Sequence, residues 1–321
     1  MKLWSICPYN FKQSRFRSCR GAALIMVLAS LLALSGLVLK AMETTTSQSR
    51  EMSLLNLEYQ SGVLARAGLD VALELLAENE IQDLPPVQQE WARTWKDKGL
   101  TINIAPCSAR LNLNILARDW EDPERSEQAV LTILEDKGLG RDEMEHLLYW
   151  MGVLETEGHG RPGLERVYED KNLDYAPPRR DLSRPEELLL VPGFRELSPD
   201  WVREYFTVWG EPEKIDLNFV SREVALALLP ELEPYWGRLE SMRQGEGITH
   251  ANQLLETGMD IDLYNRVLPY VTFDPNRFEI LVEVREGAWY EKHRYIVEQD
   301  PMDPDSSPEV LFRDVLEGKQ L

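Results

Sequence analysis

The stretch RSCRGAALIMVLASLLALSGLVLKAMETTT, from Arg17 to Thr46, decides where the rest of the chain is placed. Residues 22–39 are eighteen consecutive positions without a charged side chain, and Lys40 ends the run. At about 1.5 Å per residue, a helix of that length spans about 27 Å, close to the roughly 30 Å hydrocarbon core of a bilayer. The stretch therefore predicts a single membrane-spanning helix.

The charges around the apolar run predict its orientation. Residues 1–21 contain no Asp or Glu but five basic residues: Lys2, Lys12, Arg15, Arg17 and Arg20. The positive-inside rule then leaves the N-terminus in the cytoplasm and exports the chain after Lys40. A cleaved secretory signal needs a shorter apolar core and a small-residue cleavage site after it, so a retained signal anchor fits better.

The left edge of the run suggests a more specific interpretation. The basic leader ends at Gly21, and the apolar segment begins at once with Ala22. This arrangement resembles the type III leader of the type IV pilin superfamily, which a prepilin peptidase cuts after the glycine. The resemblance implies cleavage between Gly21 and Ala22, N-methylation of Ala22, and retention of the apolar segment as an anchor.

The fifth residue counted from Ala22 is Met26, where major pilins carry a glutamate. A carboxylate in lipid is costly unless it is paired, so its absence is informative. The subgroup that lacks this glutamate is the K-type minor pseudopilin of type II secretion, which is thought to occupy the tip of its filament.

Composition restricts the classes of partner and of site. The net charge of −20 becomes −25 without the leader, which argues against nucleic acid as a partner. Cys7 and Cys19 lie in the leader, and only Cys107 remains after it. The mature chain therefore has neither an internal disulfide nor a cysteine metal site.

Beyond Lys40 the pattern predicts an α+β fold. Apolar residues with helical spacing extend one long helix from Ala22 to about Ile81. Period-two alternation predicts strands at residues 100–105 and 110–114, and a hairpin of residues 277–285 and 289–297. The acidic, proline-bearing tail from Asp300 is expected to be mobile.

The block between these strands is predicted to be helical. Asp122-Pro123 is a favourable helix start, and proline and glycine then separate short helix candidates. The candidates are residues 127–137, 141–153, 184–190, 199–209, 221–229 and 249–256.

The predicted architecture is a type IV pilin-like fold, in which a long N-terminal helix and a small antiparallel sheet carry an inserted SAM-like or helix-hairpin-like helical domain. The predicted segments are a leader at 1–21, a membrane half-helix at 22–42, pilin-like helix and strands at 43–118, the insertion at 119–272, a hairpin at 273–299 and an acidic tail at 300–321.

Two short motifs share a pattern. Leu111-Asn112-Leu113-Asn114 and Ile215-Asp216-Leu217-Asn218 both alternate apolar and Asn/Asp residues, and each precedes a predicted helix. The pattern is equally compatible with two similar helix starts and with a repeat. The segment ELLLVPGF at 187–194 resembles a helix-hairpin-helix turn, but its acidic surroundings favour helix packing over DNA binding.

In order along the chain, these segments resemble the K-type family. The matching segments are Leu111–Asn114, Leu148–Met151, Gly163–Glu165 with Tyr168, Tyr175–Pro178, Glu187–Phe194 and Asp216–Asn218. The resemblance implies a single-pass protein of the bacterial inner membrane with a periplasmic domain. It also implies that the prepilin peptidase processes the chain and that I- and J-type minor pseudopilins are its partners at the tip.

The resemblance also raises the question of calcium. Family members often carry an acidic cluster around a tryptophan, whereas this chain has Tyr149-Trp150-Met151-Gly152 there. The remaining weak candidates for oxygen ligands are Glu155, Glu157, Glu165, Asp170 and Asp174. Calcium is therefore a candidate cofactor, although an exposed charged loop is the commoner explanation of such residues.

No catalytic motif is found. The histidines, His146, His159, His250 and His293, lack metal-ligand spacing and are expected at the surface. No nucleophile elbow or phosphate-binding loop occurs, so an enzyme is not predicted. Two alternatives to the K-type hypothesis stay open: a minor pilin of a type IV pilus, and a signal-anchored periplasmic enzyme with a dispersed site.

Overall fold

A computed structural model describes residues 20–78, 91–95, 99–117, 122–154, 168, 175–287, 289–299 and 307–320. The chain divides into two units, one ending at Tyr59 and the other comprising Gln60–Leu321. Helix α1, Arg20–Ala77, belongs to both. The prediction of one long helix from Ala22 to about Ile81 is thus confirmed as far as Ala77.

The second unit contains a five-stranded antiparallel sheet in the order β1-β2-β7-β8-β9. Its strands are Trp91–Trp95, Leu100–Pro106, Arg277–Glu286, Trp289–Glu298 and Glu309–Gln320. The part of α1 after Gln60 packs on this sheet, and Leu69 and Leu76 share a buried core with Ile102, Ile280 and Val282. The predicted strand at 100–105 and the predicted hairpin are confirmed.

The prediction of a mobile acidic tail at 300–321 is wrong for its second half. Residues 309–320 form β9, which pairs with β8 along its length. The register slips at two places, so Leu311 and Leu316 face no partner and the apolar alternation is broken. These bulges hide the period-two signal that would have identified a strand.

A helical domain is inserted between β2 and β7, and it has its own hydrophobic core. Its helices are α2 Pro123–Glu135, α3 Arg141–Met151, α4 Pro199–Tyr205, α5 Arg222–Leu228, α6 Trp236–Gln244 and α7 Ile261–Val267. Asp122 caps α2 as predicted, because its side chain accepts a hydrogen bond from Arg125 N at 3.0 Å.

Several predicted elements differ in detail. Residues 185–190 and 251–257 form 3-10 rather than α-helices, and α6 and α7 were not predicted. The predicted helix 199–209 ends at Tyr205 because strand β4, Phe206–Thr207, follows. The predicted strand 110–114 is only Leu111–Asn112, strand β3.

The insertion also begins before the predicted boundary at residue 119. Strand β3 pairs in parallel with β4 rather than with the main sheet, and Leu111, Leu113 and Ile115 lie in the helical core. The sequence did not reveal this boundary because parallel partners are distant along the chain.

Candidate functional site

The first unit presents an exposed apolar helix. Every described side chain from Ala23 to Ser53 is exposed, and Leu32 is 71 % exposed. Among the described residues, α1 is the one helix long and apolar enough to cross a membrane. An apolar surface of this size is stable only against lipid or other apolar helices.

The start of this helix carries the predicted processing site. Met26 is 68 % exposed, and its carbonyl accepts a hydrogen bond from Ser30 Oγ at 2.8 Å. The position where major pilins carry an acid is therefore apolar and outward-facing. Gly21 and Ala22 lie within α1, and their cleavage and methylation stay predictions.

In the second unit, α1 is fastened to the sheet at three levels. Buried Ser61 donates a hydrogen bond to Glu291 on β8. At Gly68 the sheet comes so close that a Cβ would lie 2.8 Å from Val282 Cγ1. Further along, Gln299 Nε2 donates to Leu76 O at 2.7 Å. These three contacts therefore fix the position of this part of the helix on the sheet.

Ser61, Glu291 and His293 form a buried cluster that does not have the geometry of a hydrolase. The hydroxyl of Ser61 donates to the carboxylate of Glu291, and His293 Nε2 lies 3.4 Å from the other carboxylate oxygen. Serine catalysis needs the imidazole, not the carboxylate, beside the hydroxyl. Burial also lowers the pKa of His293. The cluster is therefore a helix anchor.

The expectation of surface histidines is wrong for His293, which is only 2 % exposed. It lies on β8 at a position whose side chain faces inward, and its ring stacks on Tyr295. His250 is exposed as predicted, His146 is half-buried, and His159 lies outside the described residues. The sequence did contain a signal for this burial. His293 is two residues before Tyr295 and four before Val297, so all three share one face of the predicted strand.

A buried ion-pair cluster joins the helical domain to the sheet. Arg294 on β8 is fully buried and donates to both oxygens of Glu186, at 2.7 and 3.1 Å. Its guanidinium lies 5.0 Å from the ring centroid of Trp209 and 5.7 Å from that of Phe312, two rings that also contact each other, and Asp314 is 3.4 Å away. Burial by itself would raise the pKa of Glu186, but the bonds from Arg294 lower it.

The two Asn/Asp motifs perform the same structural task. Asn114 hydrogen-bonds both backbone groups of Leu182, at 3.0 and 2.8 Å. Asn218 does the same to Ile248, at 2.8 Å for each bond. Each side-chain amide therefore makes, to a residue far along the chain, the pair of backbone hydrogen bonds that a neighbouring strand would make.

The similarity extends beyond the motifs. Strand β5, Ile215–Asp216, pairs in parallel with β6, Val271–Thr272, in the same register as β3 with β4. After each held residue, a hydroxyl residue donates its backbone N–H to a side chain four positions on: Ser183 to Glu187, and Thr249 to Gln253. The helical domain therefore contains two copies of one unit.

In both copies the next turn requires glycine. Gly193 and Gly258 have φ of 98° and 88°, and a Cβ on Gly193 would lie 2.6 Å from Glu143 Cγ. The 187–194 segment thus packs against a helix, which is the role the sequence predicted for it, and the helix is α3. A signal for this duplication was present: an apolar-Ser/Thr pair followed by Glu or Gln occurs twice, at 182 and 248.

The calcium candidates Glu155, Glu157, Glu165, Asp170 and Asp174 lie outside the described residues. Within the residues that the structure does describe, no group of three or more His, Cys, Asp or Glu side chains is arranged to hold a metal ion.

Comparison with solved structures identifies a similar fold. One similar chain is GspK in the GspK-GspI-GspJ complex from the type 2 secretion system of enterotoxigenic Escherichia coli. The TM-score is 0.57 at 14% identity, and the alignment covers 85% of this chain and 99% of that chain. No family model and no curated protein sequence matches. The predicted fold, a pilin-like helix and sheet with a helical insertion, is confirmed.

Proposed function

We propose that this chain is a K-type minor pseudopilin of a type II secretion system. The observation that carries the proposal is the combination of two features in one chain. The fold is similar to GspK over 85% of the chain, and its long helix begins with an exposed apolar segment of membrane-spanning length. Neither feature alone distinguishes a pseudopilin from a signal-anchored protein.

In this role the apolar segment holds the subunit in the inner membrane, with a cytoplasmic N-terminus and a periplasmic domain. The prepilin peptidase removes residues 1–21 and methylates Ala22. The function is mechanical rather than enzymatic: the chain assembles with other subunits, and the secreted proteins are moved by the filament.

The position in the filament is proposed from two features of this chain. Met26 supplies no carboxylate to pair with the N-terminal amine of a subunit above it, so the chain needs no such neighbour. The helical insertion between β2 and β7 also adds bulk that a repeated filament position would have to accommodate in every subunit. Both features favour the tip.

The partners are proposed from the comparison. GspK occurs in a complex with GspI and GspJ, so we propose I- and J-type minor pseudopilins as the partners of this chain. The alternative is a minor pilin of a type IV pilus, which would share the leader but assemble with pilus subunits.

The test is co-purification of the tagged full-length chain, in detergent, with the I- and J-type proteins of the same organism. A three-component complex, together with loss of secretion when the gene is deleted, supports the proposal. Recovery of pilus minor pilins with intact secretion would replace it by the pilus alternative. Recovery of neither set would remove both assembly roles.

A further inference from the structure

The two copies of the repeated unit differ at one buried position. Asn112 in the first and Asp216 in the second occupy the same register position, opposite Thr207 and Thr272. Both side chains are buried, and each Oδ1 accepts a hydrogen bond from the backbone N–H two residues on, at 3.0 and 2.8 Å. One copy therefore has an amide where the other has a carboxyl group.

In the first copy, the second polar atom of this side chain is a donor. Asn112 Nδ2 donates to the carbonyls of Trp209 and Gly210, at 3.2 and 3.4 Å. These carbonyls belong to the turn after β4, where Trp209 N donates to Thr207 Oγ1. The amide thereby ties the start of the unit to its end.

In the second copy the same turn is present, because Asp274 N donates to Thr272 Oγ1 at 3.4 Å. Asp216 Oδ2 is the atom that corresponds to the amide nitrogen of Asn112, and it has no hydrogen-bond partner among the described residues. A buried oxygen without a donor is unfavourable, and an ionised one much more so.

The charged groups around Asp216 do not compensate for this. Arg243 approaches from α6, but its Nε donates to Asn218 O at 3.0 Å and its Nη1 pairs with Glu240 at 3.3 Å. Asp274, in the turn after β6, contributes a like charge. Burial raises the pKa of Asp216 to about 7, although the bond from Asn218 and the charge of Arg243 oppose the shift.

We propose that Asp216 is a proton-dependent tie: when protonated, it donates from Oδ2 to the turn after β6, as Asn112 does to the turn after β4. When the proton is lost, the second copy loosens while the first stays closed. This inference goes beyond the proposed function and does not depend on it.

The sign of the pH dependence follows from the raised pKa. The folded chain then binds a proton at Asp216 that the unfolded chain has released, so the contribution of this residue to stability is present at about pH 4 and is lost as the pH rises to about 7. The second copy is consequently the part of the helical domain that opens more readily at neutral pH.

The test replaces each of the two side chains by the other, in two single variants of the full-length protein in detergent. Amide hydrogen exchange is followed at pH 5 and pH 8, corrected for intrinsic rates, in segments 215–220 and 248–258 of the second copy and in 111–117 and 182–194 of the first. We expect Asp216→Asn to slow exchange in the second copy about tenfold at pH 8 and by a smaller factor at pH 5.

The matched variant Asn112→Asp should produce the opposite change in the first copy, with faster exchange at pH 8 and partial recovery at pH 5. Faster exchange of Asp216→Asn at both pH values would overturn the proposal, because it would show an ionised Asp216 paired in the folded state. Infrared difference spectra between wild type and Asp216→Asn at pH 5 provide a second test. The proposal requires the band of a protonated carboxyl group in these spectra, and its absence would overturn the proposal.

Discussion

Two stretches of the same helix, before and after Tyr59, are built for different surroundings. In the first, large apolar residues occur on every side of the helix, and all of those in the apolar run that the structure describes are exposed. In the second, Ala65, Gly68 and Ala72 recur at spacings of three and four and lie buried against the sheet. The first stretch suits a fluid apolar environment, and the second suits one rigid surface.

This difference predicts different tolerances. A lipid-facing helix accepts any apolar side chain but no charge, whereas a helix seated on a sheet is sensitive to a single methyl group. Substitutions that distinguish these two kinds of surroundings should therefore have effects of very different size.

The double variant Leu28→Arg/Leu32→Arg should abolish stable membrane insertion. Each Arg near the centre of a membrane helix costs about 2.5–3.5 kcal/mol on an insertion scale, so the pair opposes insertion by about 5–7 kcal/mol. The measurement is the fraction of protein that stays with membranes after alkaline extraction. Leu55→Arg, beyond Lys40 and also exposed, is the control and should behave as wild type. Full retention of the double variant would argue against a membrane role.

Arg294→Met should lower the free energy of unfolding by about 3–5 kcal/mol, because it removes the fully buried partner of Glu186 and Asp314 and leaves them only the more exposed Arg203 and Arg184. The measurement is urea unfolding of the full-length chain in detergent. Arg184→Met is the control. Arg184 pairs with Asp314 at 3.5 Å, but its side chain is half-exposed, so its loss should change the free energy of unfolding by less than about 1 kcal/mol. Equal effects of both variants would mean that the buried cluster does not hold the helical domain to the sheet.

The same cluster predicts a response to acid. Because the pKa of Glu186 is lowered in the folded state, its stabilisation is present above the ordinary pKa of a carboxyl group and is lost as the pH falls below it. The stability difference between wild type and Arg294→Met should therefore shrink from pH 6 to pH 3. A difference that stays constant over this range would contradict the pairing.

Gly68→Ala should destabilise the second unit by about 1–3 kcal/mol, since its Cβ would overlap Val282. Gly62→Ala on the same helix meets nothing within 4 Å and should stabilise by about 0.5–1 kcal/mol through helix propensity. Thermal unfolding of both variants gives the comparison. Opposite signs are expected, and two stabilising variants would show that the sheet does not approach the helix at Gly68.

Cys107 should not react with a thiol reagent while the protein is folded. Burial is the main reason that its pKa is raised to about 12, so it is neither accessible nor ionised at pH 8. The measurement is labelling of a chain in which Cys7 and Cys19 are serine. The positive control is Leu55→Cys in that background. Position 55 is exposed and lies beyond the apolar run, so this cysteine should label within the mixing time. Fast labelling of Cys107 would indicate a loosely packed second unit.

The features that the sequence predicted correctly are those with local periodicity. The apolar run, the strand at 100–105 and the hairpin of β7 and β8 each show their pattern within ten to twenty residues. Strand β9 was missed because two bulges interrupt its alternation. Helix α6, which begins Trp236-Gly237, was missed because tertiary packing of Trp236 and Leu239 outweighs a weak local preference.

Non-local features could be predicted only in part. The similarity of Leu111–Asn114 to Ile215–Asn218 was visible, but the residues that their amides hold, Leu182 and Ile248, were not. The same is true of Arg294 and Glu186, which are 108 positions apart. Contacts of this kind depend on how the chain closes on itself, which no local pattern records.

The proposed processing of the leader is tested by the N-terminal mass of the full-length protein expressed with and without a prepilin peptidase. We expect a product that begins at N-methylated Ala22 and appears only with the peptidase, and we expect Gly21→Ala to abolish this product while Met26→Glu leaves it unchanged. An intact leader under both conditions, or normal processing of Gly21→Ala, would contradict the assignment to the pilin superfamily and leave an ordinary signal anchor.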